Sequence, residues 1–415
     1  MSDGVIIIGA GHGGVQAAAS LREEGYDGRI TLIGDEAELP YHKPPLSKTF
    51  IKDIEAKPQI LRAEAFYAGA SIDLLFGESV ESLDLPGRRL KLASGGNLAF
   101  DKAILATGSR PRLLPVENGP IEGVLSLRSI ADARAIRTLA ATVEDVVIIG
   151  GGFIGLEIAA TLAAGGRRVT VIEAQERLLA RAVAPAISAH VAERLASFGV
   201  SVQLRTTVGR IEGENGHVSA VLTSAGERIP ARMLIAGIGV VPNAELAVAA
   251  GIPTANGIWV DAQMRTSAPD VLAIGDAASY RHWFTGGDVR LESVQNATDQ
   301  ARLAARTITG RADAYSAVPW FWSDIGDMKL QMVGLTAGGD RQFLAGEPAD
   351  NKFSVFHYAG PRLIGIESVN RPADHMLGRK MMGLGFSPDP AAAIAGGEAL
   401  KSALAEWQAS RPPRI

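Results

Sequence analysis

The chain contains no cysteine. That absence removes structural disulfides, cysteine-ligated zinc and iron–sulfur centres, thiolate nucleophiles and redox-active dithiols from consideration. Any redox chemistry must fall to a non-thiol cofactor. Like-charge blocks of about five or six residues are missing too. The net charge of -4, from 41 Lys+Arg against 45 Asp+Glu, leaves no broad basic excess for nucleic acid. Aromatic residues make up only 6%. No apolar run reaches about 18 residues, since the best candidate, residues 234–252, holds Pro242, Asn243 and Glu245. The opening MSDG runs straight into VIII and a glycine, too short an apolar stretch and without the basic flank of a signal peptide. A cytoplasmic protein is expected. The histidines are scattered without ligand spacing, so no metal is predicted.

What is present is a long, glycine-rich globular chain. Its 415 residues, at roughly 150 per domain, predict about three domains, and 47% hydrophobic against 21% charged residues with 47 glycines excludes disorder. An internal repeat organises it. Residues 5–21 read VIIIGAGHGGVQAAASL and residues 146–162 read VVIIGGGFIGLEIAATL, with nine of seventeen positions identical at an offset of 141. Each copy is a β-branched run, a glycine turn and small apolar residues at helical spacing, followed by a second strand pattern at 29–33 and 169–172. Both copies predict βαβ units.

Gly9, Gly11 and Gly14 in the first copy, and Gly150, Gly152 and Gly155 in the second, have the spacing of a dinucleotide fingerprint in its proper strand-to-helix context. The first glycine permits the tight turn, the second lets backbone amides approach a pyrophosphate, and the third lets helix pack on strand. Phe153 and Ile154 belong to the second loop. Acids follow about 20 residues on, at Asp35 or Glu36 and at Glu173. Gly34 occupies the regular position in the first copy. Glu173 is expected to bond a ribose 2′-hydroxyl, where a 2′-phosphate would face repulsion of about 4 kcal/mol per unit charge at an effective dielectric of about 20. The second site should therefore prefer NADH, with Arg177 and Arg181 nearby to soften the preference. His12 reads as a polar loop residue rather than an acid–base catalyst.

Residues 103–108 (AILATG) and 234–239 (LIAGIG) are apolar strands ending at glycine, punctuated by Pro111 and Pro242, and read as chain crossings between domains. Thr107, Gly108, Gly237 and Gly239 close them. Residues 271–276 (VLAIGD) end a buried-strand pattern on Gly275 and Asp276, at the strand end where doubly wound sheets bind ligands.

With PPLSK at 44–48, ESVQNA at 292–297 and PWFWSD at 319–324, the chain resembles the two-dinucleotide flavoprotein reductases. More closely, it is similar to the ferredoxin reductases of bacterial oxygenase systems, the putidaredoxin reductase-like group. The resemblance implies an α/β fold of two Rossmann-like doubly wound dinucleotide-binding domains plus a smaller α+β C-terminal domain. It places a discontinuous FAD-binding domain at 1–110 and 240–318, an NAD-binding domain at 111–239 and the C-terminal domain at 319–415. It further implies that Lys48, in the PPLSK segment with Pro45, lies near the flavin ring and pairs with Glu157. The repeat supports this independently, because the first-copy equivalent of Glu157 is the uncharged Gln16. By the same resemblance Asp276 meets the ribityl chain, Val294 and Gln295 meet the flavin's pyrimidine end, Trp320 and Trp322 lie close to the ring system, and Thr107 and Arg128 are lesser FAD candidates. The sequence departs from the group after Asp324, where IGD stands.

The implied activity is hydride transfer from NADH to FAD, then single-electron delivery to a two-iron two-sulfur ferredoxin that feeds a cytochrome monooxygenase or ring-hydroxylating dioxygenase. A monodehydroascorbate-type reductase and an apoptosis-factor-like flavoprotein binding module are the alternatives. Residues 301–415 carry 13 basic against 11 acidic side chains, while the first 300 carry 28 against 34. Arg302, Arg306, Arg311, Lys329, Arg379 and Lys380 are therefore candidates to steer an acidic ferredoxin face.

Overall fold

A computed structural model describes residues 3–115 and 121–410. The chain divides into two compact units, one of Met1–His42, Pro58–Arg110 and Val240–Ala317, the other of Lys43–Lys57, Pro111–Gly239 and Val318–Ile415.

The first unit is built around strand Val5–Ile8, four β-branched residues all buried. It reads as a continuous apolar run because parallel neighbours flank it and both sheet faces are covered. Val5 aligns with Ile30 on one side and Lys102 on the other. The sheet runs Val271–Ala273, Lys102–Leu105, Val5–Ile8, Ile30–Gly34, Ile72–Phe76, all parallel. Each fully buried Ile of this core contributes about 1.5–3 kcal/mol relative to exposure. Helix His12–Glu23 buries Val15, Ala17, Ala18 and Leu21, and its run of alanines lets it approach closely. Helix Val294–Ile308 packs beside it, burying Ala301, Ala304 and Ala305. Between the third strand and Lys102–Leu105 the chain inserts a three-stranded antiparallel meander, Val80–Asp84, Arg89–Leu92 and Asn97–Ala99.

The second unit repeats this plan. Its sheet runs Ser201–Gln203, Arg168–Ile172, Asp145–Ile149, Met233–Ala236, Val124–Leu125, with the same crossover from the central strand to its neighbours and a corresponding meander at Val208–Glu214, His217–Thr223 and Arg228–Pro230. The structural repeat thus extends far beyond the seventeen residues in which it is visible as sequence.

The C-terminal part of this unit is α+β. Its antiparallel sheet runs Trp320–Ile325, Met328–Gly334, Arg362–Val369, Lys352–Ala359, Arg341–Glu347. Helices Pro372–Gly383 and Pro390–Ala395 pack on this sheet, and Gly397–Ala409 packs on both helices. The segment Lys43–Lys57 carries a 3-10 turn, Pro44–Ser47, started by two prolines whose missing N–H groups cost nothing there. Arg137 ties it down by donating to the carbonyls of Phe50, Asp53 and Ala56 while its guanidinium lies 4.4 Å from the Phe50 ring centroid.

Candidate dinucleotide and redox sites

The two glycine turns show why each glycine is there. Gly9 and Gly150 have φ of +109° and +106°, in the left-handed region that side chains avoid. A Cβ at Gly14 would sit 1.9 Å from the Gly9 carbonyl oxygen, and one at Gly155 would sit 2.6 Å from that of Gly150. These are packing positions. Gly11 and Gly152 differ, since a Cβ at Gly11 meets nothing within 4 Å and one at Gly152 meets only the Gly237 carbonyl oxygen at 3.9 Å. Internal packing does not demand these two glycines, and their open Cβ positions leave room for close approach by an outside group. Both are helix N-caps with no side chain satisfying the first-turn amides, so the helix starts are shaped for a pyrophosphate. The residues present fit FAD and NAD on this ground.

The acid ends differ between copies. A Cβ at Gly34 would meet the Ala10 Cβ at 2.7 Å, which explains why the first copy's acid is displaced to Asp35 and Glu36. Glu36 accepts a hydrogen bond from the Tyr41 hydroxyl. In the second copy Glu173 folds under the glycine turn, accepting from the Gly151 amide at 2.6 Å and the Gln175 amide at 2.7 Å. Arg177 is turned inward, donating to the Val183 carbonyl at 2.8 Å and the Ala180 carbonyl at 2.5 Å. Arg181 is exposed.

In the first unit, the Asp276 carboxylate accepts from the Ser109 hydroxyl at 2.8 Å. Its neighbour Gly275, at φ +73°, donates its amide to the fully buried Gln300 side chain at 2.7 Å. Thr107 and Gly108 are gripped by Asn243, whose carbonyl accepts from the Thr107 hydroxyl at 2.6 Å and whose amide donates to the Gly108 carbonyl at 2.9 Å. Val294 opens helix Val294–Ile308, capped by Ser293, and the buried Gln295 donates to Asp299 at 2.5 Å. His12 begins its helix, with its ring centroid 5.4 Å from that of His42.

In the second unit the chemistry gathers on Glu157, buried to 4% exposure in a helix whose other polar side chain is Thr161. A buried carboxylate without partners would cost several kcal/mol. Four donors meet this one. The Lys48 ammonium at 2.8 Å and the Ser47 hydroxyl at 2.5 Å bond Oε2, and the Ser323 hydroxyl at 2.6 Å and the Asp324 amide at 3.3 Å bond Oε1. Phe153 at the start of the same helix packs on Phe321 with centroids 4.8 Å apart, and Ile154 is exposed beside it. Gly237 donates its amide to Ile149, and Gly239, at φ +97°, accepts from Arg112. Trp320 and Trp322 lie 5.6 Å apart, with the Arg379 guanidinium 4.3 Å from the Trp320 centroid and the His375 ring edge-on at 5.8 Å. Burial, aided by Arg379, pulls the His375 imidazole down to about 4. Arg128 also belongs to this unit, where its amide donates to the capping residue Asp132, whereas Thr107 and Asp276 belong to the first.

A family model described as pyridine nucleotide-disulphide oxidoreductase matches residues 3–301, and a second, reductase C-terminal, matches residues 320–404. The chain belongs to the pyridine nucleotide-disulphide oxidoreductase family. Within the family it is similar over 391 residues, at 43% identity, to the rhodocoxin reductase of Rhodococcus erythropolis, covering 94% of this chain and 92% of that one. It is 42% identical over 381 residues to a ferredoxin–NAD(P)+ reductase of a Sphingomonas species, covering 91% and 92%. Among solved structures, a ferredoxin reductase from Rhodopseudomonas palustris superposes with a TM-score of 0.94 at 45% identity, covering 97% of this chain and all of that one.

The disulphide in the family's name has no counterpart here, since no cysteine exists to form one. This family member is an FAD- and NAD-using flavoprotein oxidoreductase. Among the described residues no helix is long and apolar enough to cross a membrane, and no group of three or more His, Asp or Glu side chains is arranged to hold a metal. Ser47, Ser323 and Thr161 stand inside the motifs with no role that the motifs announce, and Ser109 and Gln300 stand outside them. Nothing in the spacing of these residues marks them, because their partners lie far along the chain.

Proposed function

We propose that the chain takes hydride from NADH and passes electrons one at a time to a two-iron two-sulfur ferredoxin, which in turn feeds a cytochrome monooxygenase or ring-hydroxylating dioxygenase. One NADH then reduces two ferredoxins and releases one proton. The observation that carries this reading is likeness over nine-tenths of the chain to reductases whose names specify ferredoxin, one of them together with NAD(P)+, in a chain with no thiol to act as relay. When bound, FAD supplies the two-electron acceptor that can release electrons singly.

The chain's own residues have the following roles in this reading. FAD occupies a domain of residues 1–110 and 240–318, of which Lys43–Lys57 belongs to the second compact unit, its pyrophosphate on the amides after Gly9, Gly11 and Gly14, its ribose on Glu36 or Asp35 and its polyol chain on Asp276, with Val294 and Gln295 at the isoalloxazine. NADH occupies 111–239, its pyrophosphate on the turn of Gly150, Gly152 and Gly155 and its ribose on Glu173. Lys48 and Glu157 orient the nicotinamide and tune hydride transfer, and residues 319–415 supply Trp320. The inward turn of Arg177 supports a preference for NADH. The cytoplasm is the proposed location.

For the ferredoxin, Arg302 and Arg311 are partly neutralised by Asp299 and Glu24, which shifts the weight of docking to Lys329, Arg379 and Lys380. Steady-state NADH oxidation tests the whole reading. Turnover should be fast with an acidic two-iron two-sulfur ferredoxin, should fall as salt screens the encounter, and should be slow with monodehydroascorbate radical. Fast turnover with the radical and none with ferredoxin would assign the chain to the other acceptor.

A further inference from the structure

Helix Phe153–Ala164 is the second copy of helix His12–Glu23, and two positions on the same face have diverged. In the first copy Gln16 donates from Nε2 to Ser20 Oγ at 2.9 Å, so the pair closes within its own helix. The same positions in the second copy are Glu157 and Thr161, and both reach out to one residue. Glu157 accepts from the Ser47 hydroxyl at 2.5 Å, while the Thr161 hydroxyl donates to the Ser47 carbonyl at 3.0 Å. Ser47 is thereby held through side chain and backbone from two adjacent helical turns. The other carboxylate oxygen of Glu157 is held by Ser323 and the Asp324 amide, on strand Trp320–Ile325.

We propose that Ser323, together with the grip of Glu157 and Thr161 on Ser47, positions the Lys48 ammonium for the reductive step. The inference rests on the reading that Lys48 acts in hydride transfer. A lysine ammonium hangs on a flexible four-carbon stem and loses its placement readily. Here the backbone just before Lys48 is fixed at Ser47, and Nζ is fixed by Glu157 at 2.8 Å and the Pro44 carbonyl at 3.1 Å. Two of its three protons are thus committed, and one is left to meet a ligand. The Glu157 carboxylate, with four donors on its two oxygens, has its lone pairs filled. Its influence therefore passes through Lys48. Ser323 brings the C-terminal sheet into that arrangement, a role no spacing in the sequence announces. The divergence from Gln16 and Ser20 is an internal control, because helix packing on a parallel sheet evidently does not require the outward-reaching pair.

The test is the limiting rate of flavin reduction by NADH in anaerobic stopped flow on the FAD-loaded full chain, for Ser323→Ala, Thr161→Val, Lys48→Ala and the double variant Ser323→Ala/Lys48→Ala. Ser323→Ala should lower the rate roughly tenfold, the loss expected for a hydrogen bond to a charged group, with FAD content and apparent NADH affinity retained. Thr161→Val keeps the volume of the side chain and should act in the same direction, so a poorly folding Ser323→Ala would not end the test. In the Lys48→Ala background, Ser323→Ala should have no further effect, whereas a merely structural residue would add its full cost there. An unchanged rate in both Ser323→Ala and Thr161→Val, or full additivity in the double variant, overturns the proposal while leaving Lys48's role intact. An unchanged rate in Lys48→Ala overturns that role and the proposal with it.

Discussion

At the scale of single residues, the contrast between Glu157 and Gln16 carries the most chemistry. The two occupy equivalent places in one repeated sequence, yet only Glu157 collects four donors across a buried site. Glu157→Gln should therefore fold and stay yellow, because Gln fits this helical position in the first copy. It should also reduce its flavin at least tenfold more slowly, since the Lys48 ammonium loses its counter-ion and one amide face meets donors it cannot accept from. Stopped-flow reduction by NADH reads that rate directly. Glu173 offers a second check. One of its oxygens braces the glycine turn through Gly151 and the other accepts locally from Gln175, so Glu173→Ala should weaken NADH use and also narrow the ratio of NADH to NADPH specificity constants, by about tenfold. An unchanged ratio would remove Glu173 from ribose recognition.

The strand–turn–helix elements explain what was legible in the sequence. The fingerprints could be read because backbone geometry leaves no alternative at Gly9, Gly14, Gly150 and Gly155, and because strands buried on both faces must be written in β-branched residues. The antiparallel meanders at 80–99 and 208–230 went unread, since most of their strands are only three to five residues long and Val80–Asp84 and Val208–Glu214 bury a single residue each. Ser47, Ser323, Thr161 and Gln300 were equally silent, because a hydroxyl or amide acquires meaning only when the fold brings its distant partner. The glycines themselves supply a prediction that separates packing from binding. Gly14→Ala drives a Cβ to 1.9 Å from a carbonyl oxygen and should yield misfolded or colourless protein. Gly152→Ala meets only the Gly237 carbonyl oxygen, at an ordinary contact distance of 3.9 Å, so its product should remain yellow and as stable to urea as the wild type, while its KM for NADH rises about tenfold. If Gly152→Ala leaves that KM unchanged, the turn does not hold the nicotinamide dinucleotide.

Across the whole molecule, each unit buries a neutral histidine, and this sets an acid limit. His282 in the first unit and His375 in the second are both pulled down by burial to about 4, with Arg379 adding to the effect on His375. In the unfolded chain each titrates near the ordinary value of about 6.5, so the unfolded state binds the protons first. Stability from these sites is complete above about pH 6.5 and is lost as the pH falls towards 4, on the order of 3 kcal/mol per site. Urea midpoints should decline over that window, and His282→Gln should flatten the decline in the first unit. A flat profile in the wild-type protein would show that neither histidine is held neutral. One anaerobic titration follows the electrons from NADH to ferredoxin. The purified protein is treated with one equivalent of NADH and then with oxidised two-iron two-sulfur ferredoxin, following the visible absorbance of flavin and iron–sulfur cluster. The protein should be yellow, bleach with NADH and regain its colour as two ferredoxins are reduced per NADH. A colourless chain, a flavin that NADH cannot bleach, or a bleached flavin that ferredoxin cannot reoxidise would contradict that electron path.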